Sequence, residues 1–531
     1  MQFFKDNKIQ ISNEYSKNKL NKHINDTLKK HKEHIKSLFN IQHRQLILMN
    51  PKIPHLYSHI KMHKHNQPIR PIISFKNSST SRIAKLLAKH LPTFTQFISE
   101  YSIKNSIELI RKIQNIKVKE SDILMSLDIT NMYTSIPSTE AQIIIEQKLE
   151  NNNYINKDHL DTIKELLNIT IHQTFFNFNN NTYEMKGLPM GSSLSPFIAD
   201  IFIYQIENKI HQSIFSKFIK FWGRYVDDIF VMWSGDRHDI KNFLKYINSI
   251  HNNIKFTSEI NHNQINYLDL TISKVKNSLE FNIYHKPTNN NILIPFFSSH
   301  HISHKLSAFV YYFYRLFTVP MSEKNFIDEL SYILHLSIIY GYPEFIMRKL
   351  FFKIKNKLRL KLAYNIRTET NNSIKYRTIT YYNQPYIISK IQKLFHNNNI
   401  KISMKNKTIE SDLLNNNLDK IPLMEQSGVY ELQCNDCNAT YVGETGRNLS
   451  LRIKEHKRDF IKSNVGKHLK FNNHKLNENK IKILHRTTKG NLQMLWEAYE
   501  IDKRKLDPMK NCINDRIEIK HQPIYNIIIN D

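Results

Sequence analysis

The stretch Phe221–Trp233, FWGRYVDDIFVMW, constrains this chain more than any other. Asp227 and Asp228 stand between two runs rich in aromatic and β-branched residues, which suit β-strands. The pattern predicts a strand, a tight turn carrying the acids, and a second strand. Two like charges this close repel unless a cation or a proton lies between them, so the pair implies a divalent metal. Such a site needs a third carboxylate, a basic group for phosphate and a loop of small residues.

The sequence supplies candidates for each. Ile123–Leu127 is a short apolar run that predicts a buried strand, with Asp128 at its end and Tyr133 five residues later. An acid leaving a buried strand is costly unless it meets a metal or a cation. A turn-capping aspartate is the alternative. The segment PHLYSHIKMHKHNQPIRPIISF carries Lys61, Lys64 and Arg70, with Pro68 and Pro71 biasing the backbone toward extended geometry. It reads as a basic hairpin able to fold over a triphosphate, or as an ordinary edge hairpin with basic decoration. In KGLPMGSSLSPF, Gly187, Pro189 and Gly191 make a loop, and Pro196 opens a helix at 197–210. A small-residue loop of this kind lets a nucleotide approach the backbone closely.

Charge narrows the partners. The 531 residues carry 76 Lys plus Arg against 47 Asp plus Glu, a net +29, which favours a polyanion. No segment reaches the ~18 apolar residues that span a bilayer, so no membrane partner is expected. The N-terminus lacks the apolar core of a signal peptide. Three cysteines, Cys434, Cys437 and Cys512, argue for a reducing compartment rather than a disulfide framework. The cluster Lys29, Lys30, His31, Lys32 reads as a solvated helix face, with a nuclear address as the alternative.

Asp128 with Tyr133, the GLPMGSSLSP loop, and Tyr225-Val226-Asp227-Asp228 occur in the order and spacing of reverse transcriptase palm motifs. KMHKHNQPIRPI resembles the fingers segment that holds the incoming triphosphate. Met190 stands where that family usually has Gln. With YHKPTNNNILIPFFSSHH and GYP at 341–343, the chain looks most like Penelope-like retroelements over residues 50–400. The resemblance implies an α+β multidomain fold, a right-hand polymerase with fingers, a palm with an antiparallel sheet, and a helical thumb. It implies that Asp128, Asp227 and Asp228 hold two Mg²⁺ (or Mn²⁺) ions about 3.5–4 Å apart. Tyr133 would gate against a 2′-hydroxyl, Lys64 and Arg70 would bind the triphosphate, and Gly191 would approach the nascent pair.

A second module follows. In SGVYELQCNDCNATYVGETGRNLSLRIKEHKRD, two short strands carry Gly428-Val429-Tyr430 and Tyr441-Val442-Gly443, and a helix puts Arg452 and His456 on one face. Glu497 and Asn526 lie downstream. This resembles a GIY-YIG nuclease, a small α/β domain, with Val for Ile in both signatures, a packing swap that leaves the chemistry untouched. On that resemblance Glu497 is the metal ligand (Mg²⁺) and Arg452 stabilises the phosphate. Tyr430 is the candidate base or water-orienting group, supported by Tyr441, His456 and Asn526. Cys434, Cys437, His468 and His474 have spacings that suit a structural Zn²⁺ site. His456 could replace one histidine. A redox CxxC and plain buried thiols are the alternatives.

The expected domains are a helical lead-in at 1–50, fingers and palm at 51–296, a helical thumb-like region at 297–400, a linker at 401–424 and the nuclease at 425–531. The expected function is a retroelement RNA-directed DNA polymerase coupled to a DNA-nicking endonuclease, acting by target-primed reverse transcription. Its partners would be template RNA, target DNA with its primer 3′ end, and deoxynucleoside triphosphates, in the nucleus after cytoplasmic synthesis. A decayed or domesticated nucleic-acid-binding protein is the alternative, with the short lead-in favouring some truncation. A group II intron maturase would share the palm without this nuclease type.

Overall fold

The computed structural model describes residues 9–11, 17–60, 69–179, 181–364, 375–380, 385–396, 400–406, 421–458, 463–487, 489–507 and 511–515. Lys64 and Asn526 lie outside the described residues. The architecture is α+β.

The strands are labelled in chain order. The first sheet joins β1 (Ile9–Ile11), β2 (His55–Ile60), β3 (Ile69–Ser74), β5 (Phe175–Phe178) and β6 (Asn181–Met185), in the order β1-β6-β5-β2-β3. The basic hairpin is its edge, β2 against β3. The second sheet holds β4 (Ile123–Ile129), β7 (Ile219–Tyr225), β8 (Asp228–Trp233) and β9 (Phe256–Asn261), all antiparallel, in the order β7-β8-β4-β9.

Both faces of this second sheet are covered, and the alternation of side chains shows how. Along β8, Ile229, Val231 and Trp233 enter the core under the helices, while Phe230 and Met232 enter a second core. In β4, Ile123, Met125, Leu127 and Ile129 face the helices and Leu124 the other side. A period of two with apolar residues on both faces gives the continuous apolar runs seen in the sequence. Each such side chain contributes about 1.5–3 kcal/mol of burial. The helical layer includes Ser81–Phe94, Ser138–Glu150, Lys157–Ile171, Ser195–His211 and Arg237–Ser249. The opposite face is closed by the antiparallel sheet of β10 (Gln264–Tyr267), β11 (Leu270–Val275) and β12 (Ser278–Ile283).

The lead-in is not a separate unit. Its helices Lys17–Lys30 and Lys32–Phe39 bury Ile24, Leu28, Ile35 and Phe39 in the same core as the helices above. His31, expected within a solvated basic face, is buried. Its ring bonds Thr162 Oγ1 at 2.8 Å and Glu165 at 2.9 Å on the helix Lys157–Ile171. Lys29 and Lys32 stay exposed.

Beyond residue 301 the helices Ser307–Thr318, Glu323–Ile339 and Glu344–Tyr364 share a core of Phe309, Phe313, Ile333, Leu336 and Met347. Here the boundary expectation needs correcting. Strands β13 (Lys375–Thr380) and β14 (Ile400–Lys405) pair in parallel across the helix Pro385–His396. The first residues of the expected linker are therefore a strand. Ile400, Ile402 and Met404 alternate with Lys401, Ser403 and Lys405, a period-two pattern that polar composition masks.

The C-terminal module has one mixed sheet, β17-β15-β16-β18, built from β15 (Gly428–Gln433), β16 (Ala439–Thr445), β17 (Lys482–His485) and β18 (Asn511–Cys512). The helices Leu449–Arg458, Asn464–Phe471 and Asn491–Lys505 complete it. The last of these is pinned to the sheet by buried ion pairs. Arg504 bridges Glu431 of β15 and Glu500, and His485 of β17 bonds Glu500 at 2.6 Å.

Candidate functional sites

The register of the second sheet assembles the three aspartates. Asp128 is paired with Asp228 across β4 and β8, and Asp227 occupies the turn between β7 and β8. The turn is fixed from below. Ile129 N donates to Asp227 O at 3.1 Å, and the buried Tyr267 hydroxyl donates to Asp228 O at 2.9 Å. All three acids thus stand at one end of paired strands. Their carboxylates do not converge as tightly as the Cys/His set below, whose ligand atoms all lie within 4.8 Å of one another among the described residues. Hard oxygen donors on a rigid base fit Mg²⁺ or Mn²⁺.

Tyr133 sits on the short helix Met132–Ser135 beside the acids. Burial, then Asp227 and Asp200, push its phenol above the usual range, so it stays protonated. A cleft of about 310 Å³ opens between Tyr133, Pro196, Phe197, Asp200 and Val226. The small-residue loop is clamped on both sides. Leu188 N donates to Tyr133 O at 2.8 Å, and Ile73 N of β3 donates to Met190 O at 2.9 Å. Gly191, at φ 128, has no room for a side chain, because a Cβ would lie 2.1 Å from Ile73 O. The demand for glycine there comes from strand β3. Arg70 is exposed on β3, opposite His59 of β2.

In the C-terminal module the side chains are wired together in advance. Tyr430 of β15 is fully buried, and its hydroxyl meets His456 Nε2 at 2.6 Å. Arg452 Nε donates to the same oxygen at 3.3 Å. Burial, then Tyr441, pushes the Tyr430 phenol far up. The opposite holds for His456. Burial, then Arg452, lowers it to about 4, so the imidazole is neutral. Its Nδ1 bonds Ser463 Oγ, which also caps the helix Asn464–Phe471. Tyr441 lies edge-on to the same imidazole at 5.3 Å. Gly443 pairs with Tyr430 in the sheet, and a Cβ there would sit 2.5 Å from the tyrosine hydroxyl. The glycine of the second signature is required by the tyrosine of the first.

Glu497 lies on the helix Asn491–Lys505. Burial, then the neighbouring Glu444, raises its carboxyl to about 7. Glu444 is raised by burial against Lys489 and Arg452, and one of its oxygens is buried without a hydrogen bond. Sequence reasoning missed Glu444. Its only signal was an acid directly after the YVG signature. It also missed Asn514, whose amide accepts from Val442 N at 2.8 Å and donates to Val442 O at 2.6 Å. That clasp extends the strand carrying Tyr441.

Cys434, Cys437, His468 and His474 meet at one point. Cys434 Sγ is 3.5 Å from His474 Nδ1, Cys437 Sγ is 3.3 Å from His468 Nε2, and the two imidazole nitrogens are 3.3 Å apart. A tetrahedral zinc with ordinary Zn–S and Zn–N bonds places its ligands about 3.3–3.8 Å from one another. The set fits, and His456, engaged by Tyr430 and Ser463, is not part of it. The cluster joins the β15–β16 turn to the helix Asn464–Phe471.

Two family models match the sequence. Residues 62–269 match the reverse transcriptase (RNA-dependent DNA polymerase) family, and residues 426–510 match the GIY-YIG catalytic domain. No curated protein sequence matches. Among solved structures, a telomerase from Candida albicans in complex with a TWJ fragment of telomeric RNA is 13% identical, with a TM-score of 0.43. That match covers 59% of this chain and 61% of that one. An apo telomerase from Candida tropicalis is also 13% identical, with a TM-score of 0.37 and 58% of each chain covered. This chain thus spans about three fifths of the telomerase chains it matches. Among the described residues no helix is long and apolar enough to cross a membrane. The chain carries a reverse transcriptase domain and, C-terminal to it, a GIY-YIG nuclease domain.

Proposed function

We propose that this protein is the reverse transcriptase–endonuclease of a Penelope-like retroelement and works by target-primed reverse transcription in the nucleus. One observation carries the reading: a site suited to cutting a DNA strand and a site suited to extending a 3′-hydroxyl occur in one chain. The Penelope-like assignment draws further support from the Cys434/Cys437 pair between the two tyrosine strands.

At the nuclease site, Arg452 would bind the scissile phosphate and Glu497 would hold a divalent ion. Tyr430 orients the attacking water. Burial keeps the hydroxyl protonated, so it acts by orientation rather than as a base, fixed by His456 Nε2 at 2.6 Å and by Arg452 Nε at 3.3 Å. His456 stays neutral and is itself oriented by Ser463. The nick leaves a 3′-hydroxyl on target DNA. At the palm, Asp128, Asp227 and Asp228 would hold divalent ions that activate this hydroxyl and balance charge on pyrophosphate. Arg70, with Lys64, binds the triphosphate of the incoming deoxynucleotide, and Tyr133 lies against its sugar. The +29 charge serves the RNA–DNA hybrid.

The test supplies purified protein with supercoiled DNA, an RNA template, Mg²⁺ and labelled deoxynucleotides, with no added primer. Label covalently joined to the target DNA is expected. No label on the target DNA, with label incorporated onto a primer supplied in a parallel reaction, would retain the polymerase but sink the target-primed coupling.

A further inference from the structure

Arg224 is absent from the chemistry above, yet at 2% exposure it is among the largest fully buried side chains. It precedes the end of β7 by one residue. Its guanidinium is extensively engaged. Nε and Nη2 donate to the two carboxylate oxygens of Glu207 at 2.8 and 3.0 Å. Nη2 also donates to Asp200 at 2.7 Å, and Nη1 reaches the carbonyl of Val226 at 3.4 Å. Glu207, 1% exposed, also accepts from Trp222 Nε1 at 2.9 Å. The Arg224 backbone is held as well: its N–H donates to Tyr101 O at 2.7 Å, and its carbonyl accepts from Ile103 N at 2.8 Å.

Buried ion pairs are often no more stable than apolar residues filling the same space. Stability alone therefore gives this arginine no evident reason to be here. An apolar side chain could not donate to the Val226 carbonyl. Val226 immediately precedes Asp227, and its φ is 58. It is the one β-branched residue in the left-handed region among the described residues, where asparagine predominates. A β-branched side chain resists that conformation, and one held there signals a local constraint.

We propose that Arg224, aligned by Glu207 and Asp200, is a positioning residue that holds the Val226 turn in its left-handed conformation and thereby sets Asp227. Glu207 and Asp200 lie seven residues apart, two turns along one face of the helix Ser195–His211. That helix opens at the small-residue loop. The clamp therefore ties loop, helix and acid turn into one unit, and Arg224 and Asp200 line the cleft beside Tyr133. The proposal rests on reading the three aspartates as a metal site.

The test follows Mn²⁺ binding by electron paramagnetic resonance on the full chain, in a Glu497→Ala background that removes the nuclease ion. Arg224→Met combined with Glu207→Leu replaces the pair by apolar contacts of similar size. The variant is expected to melt near its parent, to bind Mn²⁺ about tenfold more weakly, and to recover most of that loss when Val226→Asn is added. Asparagine accepts the left-handed region. Mn²⁺ binding unchanged in the folded variant overturns the proposal, as does a loss that Val226→Asn leaves in place. Should that variant fail to fold, Arg224→Lys, which keeps the charge but loses the fork, is read in the same way. Primer extension is scored separately. A parent that binds Mn²⁺ but extends no primer overturns the polymerase reading and leaves the turn assignment standing.

Discussion

In the palm, Asp128, Asp227 and Asp228 stand at the ends of paired strands, drawn together by register. In the nuclease module, Glu497 is half-buried beside Glu444, its carboxyl raised to about 7, and His456 and Arg452 are both bonded to the Tyr430 hydroxyl. The first site is an arrangement of backbone, its acids set by strand register and a fixed turn. The second is an arrangement of protons. The same need, to gather charge for phosphate chemistry, is met by rigid geometry in one place and by burial in the other. A metal binding to Glu497 must displace a proton near neutrality.

The sharpest way to break this comparison is to remove one acid from each site. Asp227→Ala should abolish templated synthesis, a loss of at least about a thousandfold, while nicking continues. Glu497→Ala should do the reverse. If either change silenced both activities, the sites would not be independent.

Next in size is metal removal from the Cys/His cluster. The isolated segment 425–531 should contain about one zinc per chain by elemental analysis, and chelation should unfold it. A segment without zinc that melts unchanged would remove the metal. A smaller effect is expected from Gly443→Ala, which places a methyl group against the Tyr430 hydroxyl. Nicking should fall about tenfold to a hundredfold with synthesis unchanged. Wild-type nicking in that variant would show the tyrosine to be mobile rather than locked.

The pH dependence is the finest test. Glu497 should lose its proton to a metal more readily as pH rises, so nicking at limiting Mg²⁺ should fall below about pH 7, with the midpoint moving lower as Mg²⁺ increases. Stability has a separate source. The folded module keeps His456 neutral down to about 4, whereas the unfolded chain takes up a proton from about 6.5. As pH falls between those values the module should lose about 3 kcal/mol. Thermal melts of the segment at pH 7 and pH 4.5 would show the loss; equal midpoints would contradict the buried imidazole.

Much of this was legible in residue order, and what was hidden has a common cause. The acid hairpin declared itself because apolar alternation, turn and charge all lie within thirteen consecutive residues. The three aspartates and the Cys/His set were readable because each residue type is chemically costly unless used. Strand β14 was missed because its partner, β13, lies across a helix, and its own lysines resemble a linker. Glu444 and Asn514 gain meaning only from neighbours far along the chain, Glu497 and Val442. Gly191 and Gly443 were visible as glycines, but the atoms that forbid a side chain belong to Ile73 and Tyr430. Local chemistry was read from local sequence, whereas contacts made by the fold were not.

The helix Asn464–Phe471 begins at Ser463, the partner of His456, and contains His468 of the Cys/His cluster. Eight residues of helix span about 12 Å, so the two sites share one short lever. Its far end is held by two thiols, and thiols answer to oxidants. Mild peroxide should therefore stop strand cutting well before it touches DNA synthesis, as a titration of both activities in one preparation would show. A nuclease module built this way would cut only while its two clustered thiols stay reduced.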